Sequence, residues 1–236
     1  MIFAAGLGTR LRPLTNDRPK ALVEIGGVPV LERVARRLID AGADRLIINM
    51  HHFPDRIREL VHDRNSFGVE VHLSLEVDRP LDTGGGLWQA AALFRRDMPF
   101  FVHNCDVLSD FDLGALYRAH TAAHDIATLA VLPGGADRYL LFDDAGLCGY
   151  APRGGGDDIC TRDPVGEPQR RDFTGIHVVS PELLDTLPGT GAYSIVTHYL
   201  DLAKQGMRIG RHEQPDARWI DIGSHEKLAV AQQEFA

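Results

Sequence analysis

The chain has 236 residues, 44% of them hydrophobic, and a formal net charge of −8. That is enough apolar material for one sizeable α/β core, while an acidic chain is a poor general ligand for nucleic acid. No apolar run approaches the roughly 20 residues that span a bilayer, no secretory leader is recognisable, and Cys105, Cys148 and Cys160 form no C-x-x-C, so a cytoplasmic protein with free thiols and no membrane partner is expected.

The apolar run Met1–Ala5 predicts a first strand, which enters the stretch AGLGTRLRPLTNDRPK from Ala5 to Lys20. This stretch joins a glycine turn (Gly6, Gly8), four cations (Arg10, Arg12, Arg18, Lys20) and two prolines (Pro13, Pro19). A glycine turn after a strand exposes backbone N–H groups in a concave array that binds anions. The cations suit a polyphosphate, and the alternative is a solvated basic loop. Arginine outnumbers lysine 22 to 3 in the chain. A lysine here therefore stands out as a compact ammonium suited to a phosphate. Only five residues precede Gly6, so native residues upstream of this numbering are expected.

Further strands are predicted at Arg45–Met50, Val69–Leu75, Phe100–His103 and Ala127–Leu132. Between them, Val30, Leu31, Val34, Leu38 and Ile39 form a helical apolar face. So do the sets Ile57/Leu60/Val61, Leu87/Ala90/Ala91/Leu93 and Leu113/Leu116/Tyr117. This alternation predicts a Rossmann-like, mostly parallel sheet flanked by helices, with ligands bound beyond the carboxyl ends of the strands. After residue 133 the pattern changes. Tyr139–Phe142 and Leu147–Tyr150 read as a hairpin. The Gly-, Pro-, Asp- and Arg-rich stretch 151–171 reads as a long exposed loop, either a flap over the site or a surface insert. Phe173–Val179 predicts a strand, Tyr193–Gln205 a helix, Arg218–Ile222 a last strand and Ser224–Gln233 a capped helix. One domain, 1–236, is expected, with a half of alternating strands and helices (1–132) and a β-rich excursion with a closing strand–helix (133–236).

Two strand ends carry acids. Asp106 follows Asn104-Cys105, and Asp221 lies in Trp219-Ile220-Asp221-Ile222-Gly223. Mg²⁺ takes one or two protein carboxylates plus phosphate oxygens, so both aspartates are candidate ligands; a helix cap is the alternative for Asp106. The opening loop lacks G-x-x-x-x-G-K-[ST], and its third position after Gly8 is Leu11, so neither a Walker loop nor a dinucleotide fingerprint is present.

The order Gly6-x-Gly8-Thr9-Arg10-x-x-Pro13, then Pro19-Lys20, resembles the sugar-phosphate nucleotidyltransferases. Asn104–Asp106, Pro80-Leu81-Asp82-Thr83-Gly84-Gly85-Gly86, Phe173-Thr174-Gly175-Ile176 and Trp219–Gly223 extend the likeness through nearly the whole chain. The resemblance implies the nucleotide-diphospho-sugar transferase fold and transfer of a nucleotidyl group from an NTP to a sugar 1-phosphate. It implies Arg10, Lys20 and Asp106 as catalytic, and Asp106 with Asp221 as Mg²⁺ ligands. Ala4, Ala5, Gly6, Gly8, Thr9, Thr83 and Gly84 would contact the nucleotide, and Gly85, Asn104, Thr174 and Gly175 the sugar. Thr83 also reads as a cap of its own helix. The chain is most similar to the small N-acetylmuramate 1-phosphate uridylyltransferases, with the mannose 1-phosphate guanylyltransferases as the main alternative. Other hexose 1-phosphate or phosphocholine enzymes, or a catalytically silent sensor on the same fold, are further alternatives. Several relatives place a glutamine before the L-x-T-G segment to read the base; Glu76-Val77-Asp78 offers none.

Overall fold

A computed structural model describes residues 1–134, 139–152 and 156–236. Strands and helices alternate through the first half. In order they are β1 (Ile2–Phe3), β2 (Glu24–Ile25), β3 (Val28–Pro29), α1 (Val30–Asp40), β4 (Arg45–Met50), α2 (Pro54–Asp63), β5 (Glu70–Leu75), α3 (Asp82–Gln89), β6 (Phe100–Asn104), β7 (Val107–Ser109), α4 (Leu113–Ala123) and β8 (Ala127–Pro133). The second half adds β9 (Leu140–Asp143), β10 (Gly146–Tyr150), β11 (Ile159–Cys160), β12 (Gln169–Val179), α5 (Leu183–Thr186), α6 (Ile195–Lys204), β13 (Ile209–Glu213), β14 (Trp219–Asp221) and α7 (His225–Glu234).

One ten-stranded sheet runs through both halves in the order β11-β10-β9-β12-β6-β1-β4-β5, with β8 joining β12 to β13. β1 lies parallel to β4 (Ile2 opposite Ile48) and to β6 (Ile2 opposite His103), and β4 is parallel to β5. After Arg45, β4 is apolar except for Asn49, because both of its faces are covered. Ile48 and Met50 enter the core under α1 and α2, while Ile47 enters the one under α3 and α6. β12 then runs antiparallel to β6, β8 and β9. Its register against β8 shifts between Phe173 and His177, where Gly175 adopts φ +80°. A residue without Cβ adopts that conformation at no steric cost.

The sheet is therefore parallel where strands and helices alternate and antiparallel where hairpins follow. Two expectations change. The stretch 151–171 is not one loop: Ile159–Cys160 pairs with β10, and Gln169–Arg171 begins β12. The backbone ladder of the neighbouring hairpin orders these polar residues, a contribution that composition does not reveal. Residues 153–155, within the proposed flap, lie outside the described residues. The last strand, Trp219–Asp221, joins β7 in a separate two-stranded sheet. Among the described residues no helix is long and apolar enough to cross a membrane.

Candidate active site

The carboxyl ends of β1, β4, β5 and β6 open onto a cleft of about 400 Å³. Ala4, Ala5, Gly6, Lys20, Thr83, Asn104 and Asp106 line it, joined by Asn49, Glu76 and Asp82. The floor is a chain of hydrogen bonds between buried polar groups. The Ala4 amide donates to Asn49 Oδ1 (2.7 Å), Asn49 Nδ2 donates to Glu76 Oε1 (2.7 Å), and the Leu81 amide donates to Glu76 Oε2 (2.7 Å). This chain ties the first strand to the segment before α3 through two side chains that are 2% and 1% exposed. Neither was a sequence candidate. The available signal was a polar residue inside the apolar run Leu46–Met50, which a sheet covered on both faces tolerates only with a partner.

The opening loop turns at Gly8, whose φ is +63°. The Leu11 amide and the Thr15 hydroxyl both donate to the Gly8 carbonyl, at 2.9 Å each. Gly6 is exposed, and nothing lies within 4 Å of where its Cβ would stand, so backbone can meet a ligand there. Thr9 and Arg10 occupy the exposed 3-10 turn that follows. Lys20 reaches back under the loop: its side chain is 12% exposed, and Nζ donates to Asp106 Oδ2 at 2.5 Å.

Pairing of β14 with β7 brings Asp221 beside Asp106. Asp221 stands opposite Val107, and the Ile222 amide donates to the Asp106 carbonyl (2.9 Å). Gly223 is required at the turn. A Cβ there would stand 2.4 Å from Asp221 Oδ1 and 3.0 Å from Arg10 Nη2, so the glycine leaves room for the Asp221 carboxylate and the Arg10 guanidinium. Among the described residues no group of three His, Cys, Asp or Glu side chains is arranged for a metal. A carboxylate in the β6–β7 turn and one at the end of β14 suit a Mg²⁺ ion that takes its remaining ligands from phosphates and water.

Four sequence candidates have a different surrounding from the one expected. A Cβ on Gly84 would stand 2.3 Å from the Tyr193 ring, and one on Gly85 only 2.0 Å from the Gly191 carbonyl oxygen. The close approach these glycines allow is to the chain's own 191–193 segment. Thr83 does not cap α3; it lies inside that helix, and its hydroxyl accepts the Ile195 amide (2.9 Å) at the start of α6. Thr174 is buried, with its hydroxyl donating to the Ala130 carbonyl (2.8 Å) and its carbonyl accepting the Trp219 indole N–H (2.9 Å). Gly175 is held against the Asn104 amide, 2.5 Å from where its Cβ would be, and so makes room for a cleft residue. Cys105 is buried, and burial pushes its thiol well above the ordinary range, which excludes a thiolate nucleophile at neutral pH.

A second cavity of about 520 Å³ lies between α6 and the excursion, lined by Tyr139, Tyr150, Phe173, Ser194 and Thr197 among others. The Thr83–Ile195 hydrogen bond links a residue lining the first cavity to the Ser194–Val196 segment of the second.

The family profile described as nucleotidyl transferase matches residues 1–138. The chain belongs to that family. It is 31% identical to an N-acetylmuramate alpha-1-phosphate uridylyltransferase of Caulobacter vibrioides, over 100% of this chain and 96% of the relative. It is 30% identical to a mannose-1-phosphate guanyltransferase of Pichia angusta, over 94% of this chain and 60% of the relative. The crystal structure of HddC from Yersinia pseudotuberculosis complexed with GMP-PN superposes with a TM-score of 0.76 at 24% identity, covering 100% of this chain and 98% of that one. The fold is accordingly that of the nucleotide-diphospho-sugar transferases, and the protein is a sugar-phosphate nucleotidyltransferase.

Proposed function

We propose that this enzyme transfers a uridylyl group from UTP to N-acetylmuramate 1-phosphate, with Mg²⁺, releasing pyrophosphate. The observation that carries the chemistry is the Lys20–Asp106 pair in the cleft that the open backbone of Gly6 also lines, with the Asp221 strand joined to the Asp106 segment. The choice of base and sugar is supported by similarity along the full length to the Caulobacter uridylyltransferase. Similarity to the Pichia guanyltransferase supports GTP with mannose 1-phosphate as the second reading.

In this reaction an oxygen of the sugar phosphate forms a bond to the α-phosphorus as the bond to pyrophosphate breaks. The nucleophile is already an anion, so no protein base is needed, and catalysis consists of positioning and charge neutralisation. The amides from Ala5 to Thr9 would hold the triphosphate. Arg10 would meet its outer phosphates, and Lys20 would bridge the α-phosphate and the sugar phosphate. Thr83 and Gly84 would border the nucleoside, and Gly85, Asn104, Thr174 and Gly175 the passage to the second cavity, where the sugar would lie. Asp106 and Asp221 would hold a Mg²⁺ ion, which would supply positive charge to neutralise the phosphates.

Pyrophosphate release measured over four NTPs and a panel of N-acetylmuramate, mannose and glucose 1-phosphates and phosphocholine tests the reading. Fastest turnover with UTP and N-acetylmuramate 1-phosphate is expected. A preference for GTP and mannose 1-phosphate establishes the second reading. Binding of an NDP-sugar without release from any pair identifies a sensor.

A further inference from the structure

Asp221 carries a counter-ion that the proposed reaction does not use. The Lys227 ammonium donates to Asp221 Oδ2, while the Gly223 amide donates to Oδ1 (2.9 Å). Lys227 lies in the first turn of α7, three residues after the Ser224 cap, whose hydroxyl accepts the Lys227 amide (3.3 Å). That is a poor place for a cation. The first turn of a helix already carries partial positive charge, and three residues after a serine cap is where a glutamate would close a capping box. The chain is also sparing with lysine. Of its three lysines, Lys20 sits on Asp106 and Lys227 sits on Asp221.

The two pairs differ in how firmly they are held. The Lys20 side chain is 12% exposed and closes the floor of the cleft, whereas that of Lys227 is 48% exposed. An exposed ion pair contributes little and opens readily. Lysine also suits such a contact, because a flexible stem carries a single compact charge where arginine would offer a rigid fork.

We propose that Lys227 is a resident counter-ion of Asp221, occupying its carboxylate while no divalent cation is bound and yielding it when one binds. Metal and ammonium then exclude each other at Asp221 Oδ2. The proposal rests on the reading of Asp221 as a metal ligand. Its consequence is a weakened affinity for the bare cation, which must displace a positive charge; a cation arriving with nucleotide phosphates brings ligands that offset this.

The test is titration of the whole protein with MnCl₂ in the absence of nucleotide, followed by water-proton relaxation. Lys227→Met is expected to bind Mn²⁺ about three- to tenfold more tightly, since a competing and repelling charge has gone. Lys227→Gln, a second neutral variant, is expected to do the same, and thermal melting verifies that both are folded. Lys227→Arg keeps the charge and should stay near the native affinity; tightening as large as that of Lys227→Met would show that charge is not the cause and overturn the proposal. Asp221→Asn should lose most of the binding. Unchanged or weaker binding in both neutral variants, with Asp221→Asn still weakened, overturns the role of Lys227 and leaves Asp221 a ligand. Native affinity in Asp221→Asn overturns the metal site itself and this proposal with it.

Discussion

Asp106 in the parallel half and Asp143 in the antiparallel half are both aspartates held by a cation at a strand end, and the molecule uses them oppositely. The Asp143 side chain is fully buried and accepts from Arg162 Nη1 and Nη2 (2.8 and 2.6 Å) and from the amides of Ala145 (2.9 Å) and Val165 (2.6 Å). Burial alone would raise its pKa; Arg162 and the two amides outweigh burial and bring it down to about 2. Asp106 is 35% exposed and takes one side-chain partner, Lys20. Gly6, which lines the same cleft, faces open space, and Arg10 near Gly223 forms no ion pair among the described residues. Where a polar group is saturated it serves as scaffold. Where charges gather at strand ends with valence to spare, a ligand completes them.

The largest expected effect is on the scaffold side. Asp143→Ala leaves Arg162 facing a buried void and should lower stability by about 3–5 kcal/mol, read from urea unfolding. The contribution of Asp143 is present above the ordinary aspartate pKa and is lost as pH falls towards about 2. At the site, Lys20→Ala or Asp106→Ala should reduce turnover by roughly 10²–10³-fold. Either should shift the unfolding midpoint far less than Asp143→Ala does; normal pyrophosphate release from both would erase the contrast.

Gly85→Ala probes the boundary between the two halves. Its methyl would stand 2.0 Å from the Gly191 carbonyl oxygen, so a loss of about 1–3 kcal/mol is expected in thermal melts. The last effect is a slope with pH and concerns the sheet beneath the cleft. Burial holds His103 at about 4 and His177 at about 3, below the ordinary value near 6.5. An unfolded chain then binds more protons than the native one below pH 6.5. Stability contributed by keeping these rings neutral is complete above that pH and declines as pH falls towards 4, by at most about 1.4 kcal/mol per unit for each ring. His177→Gln should flatten that slope in denaturation measured from pH 7 to 4.5; an unchanged slope would show that His177 is not the group that titrates.

Much of the site was legible because its chemistry is contiguous. A strand, a glycine turn and clustered cations form one string from Ala5 to Lys20, and Asn104–Asp106 another. The helical faces of α1, α2 and α4 followed from apolar spacing, and Ser224 and Asp112 cap α7 and α4 as helix-start residues do. The misses share a different character. Asn49 and Glu76 became visible once four strand ends met. Thr83 satisfies a donor 112 residues away. Gly84 and Gly85 also make room for Tyr193 and Gly191, and a glycine-rich polar stretch contains strands because a hairpin edge was available to pair with it.

The sequence by itself determined the strand–helix alternation, the glycine turn with its clustered cations and the identity of the acids, because each depends on neighbours within one turn or one strand. The tertiary structure decided which of these groups share a cleft. β14 returns to β7 and joins the Asp221 segment to that of Asp106, the 83–85 turn packs on 191–193, and Lys20 arrives at Asp106 from 86 residues away. Those meetings depend on strand register and buried hydrogen bonds between distant segments, which no local pattern of side chains encodes.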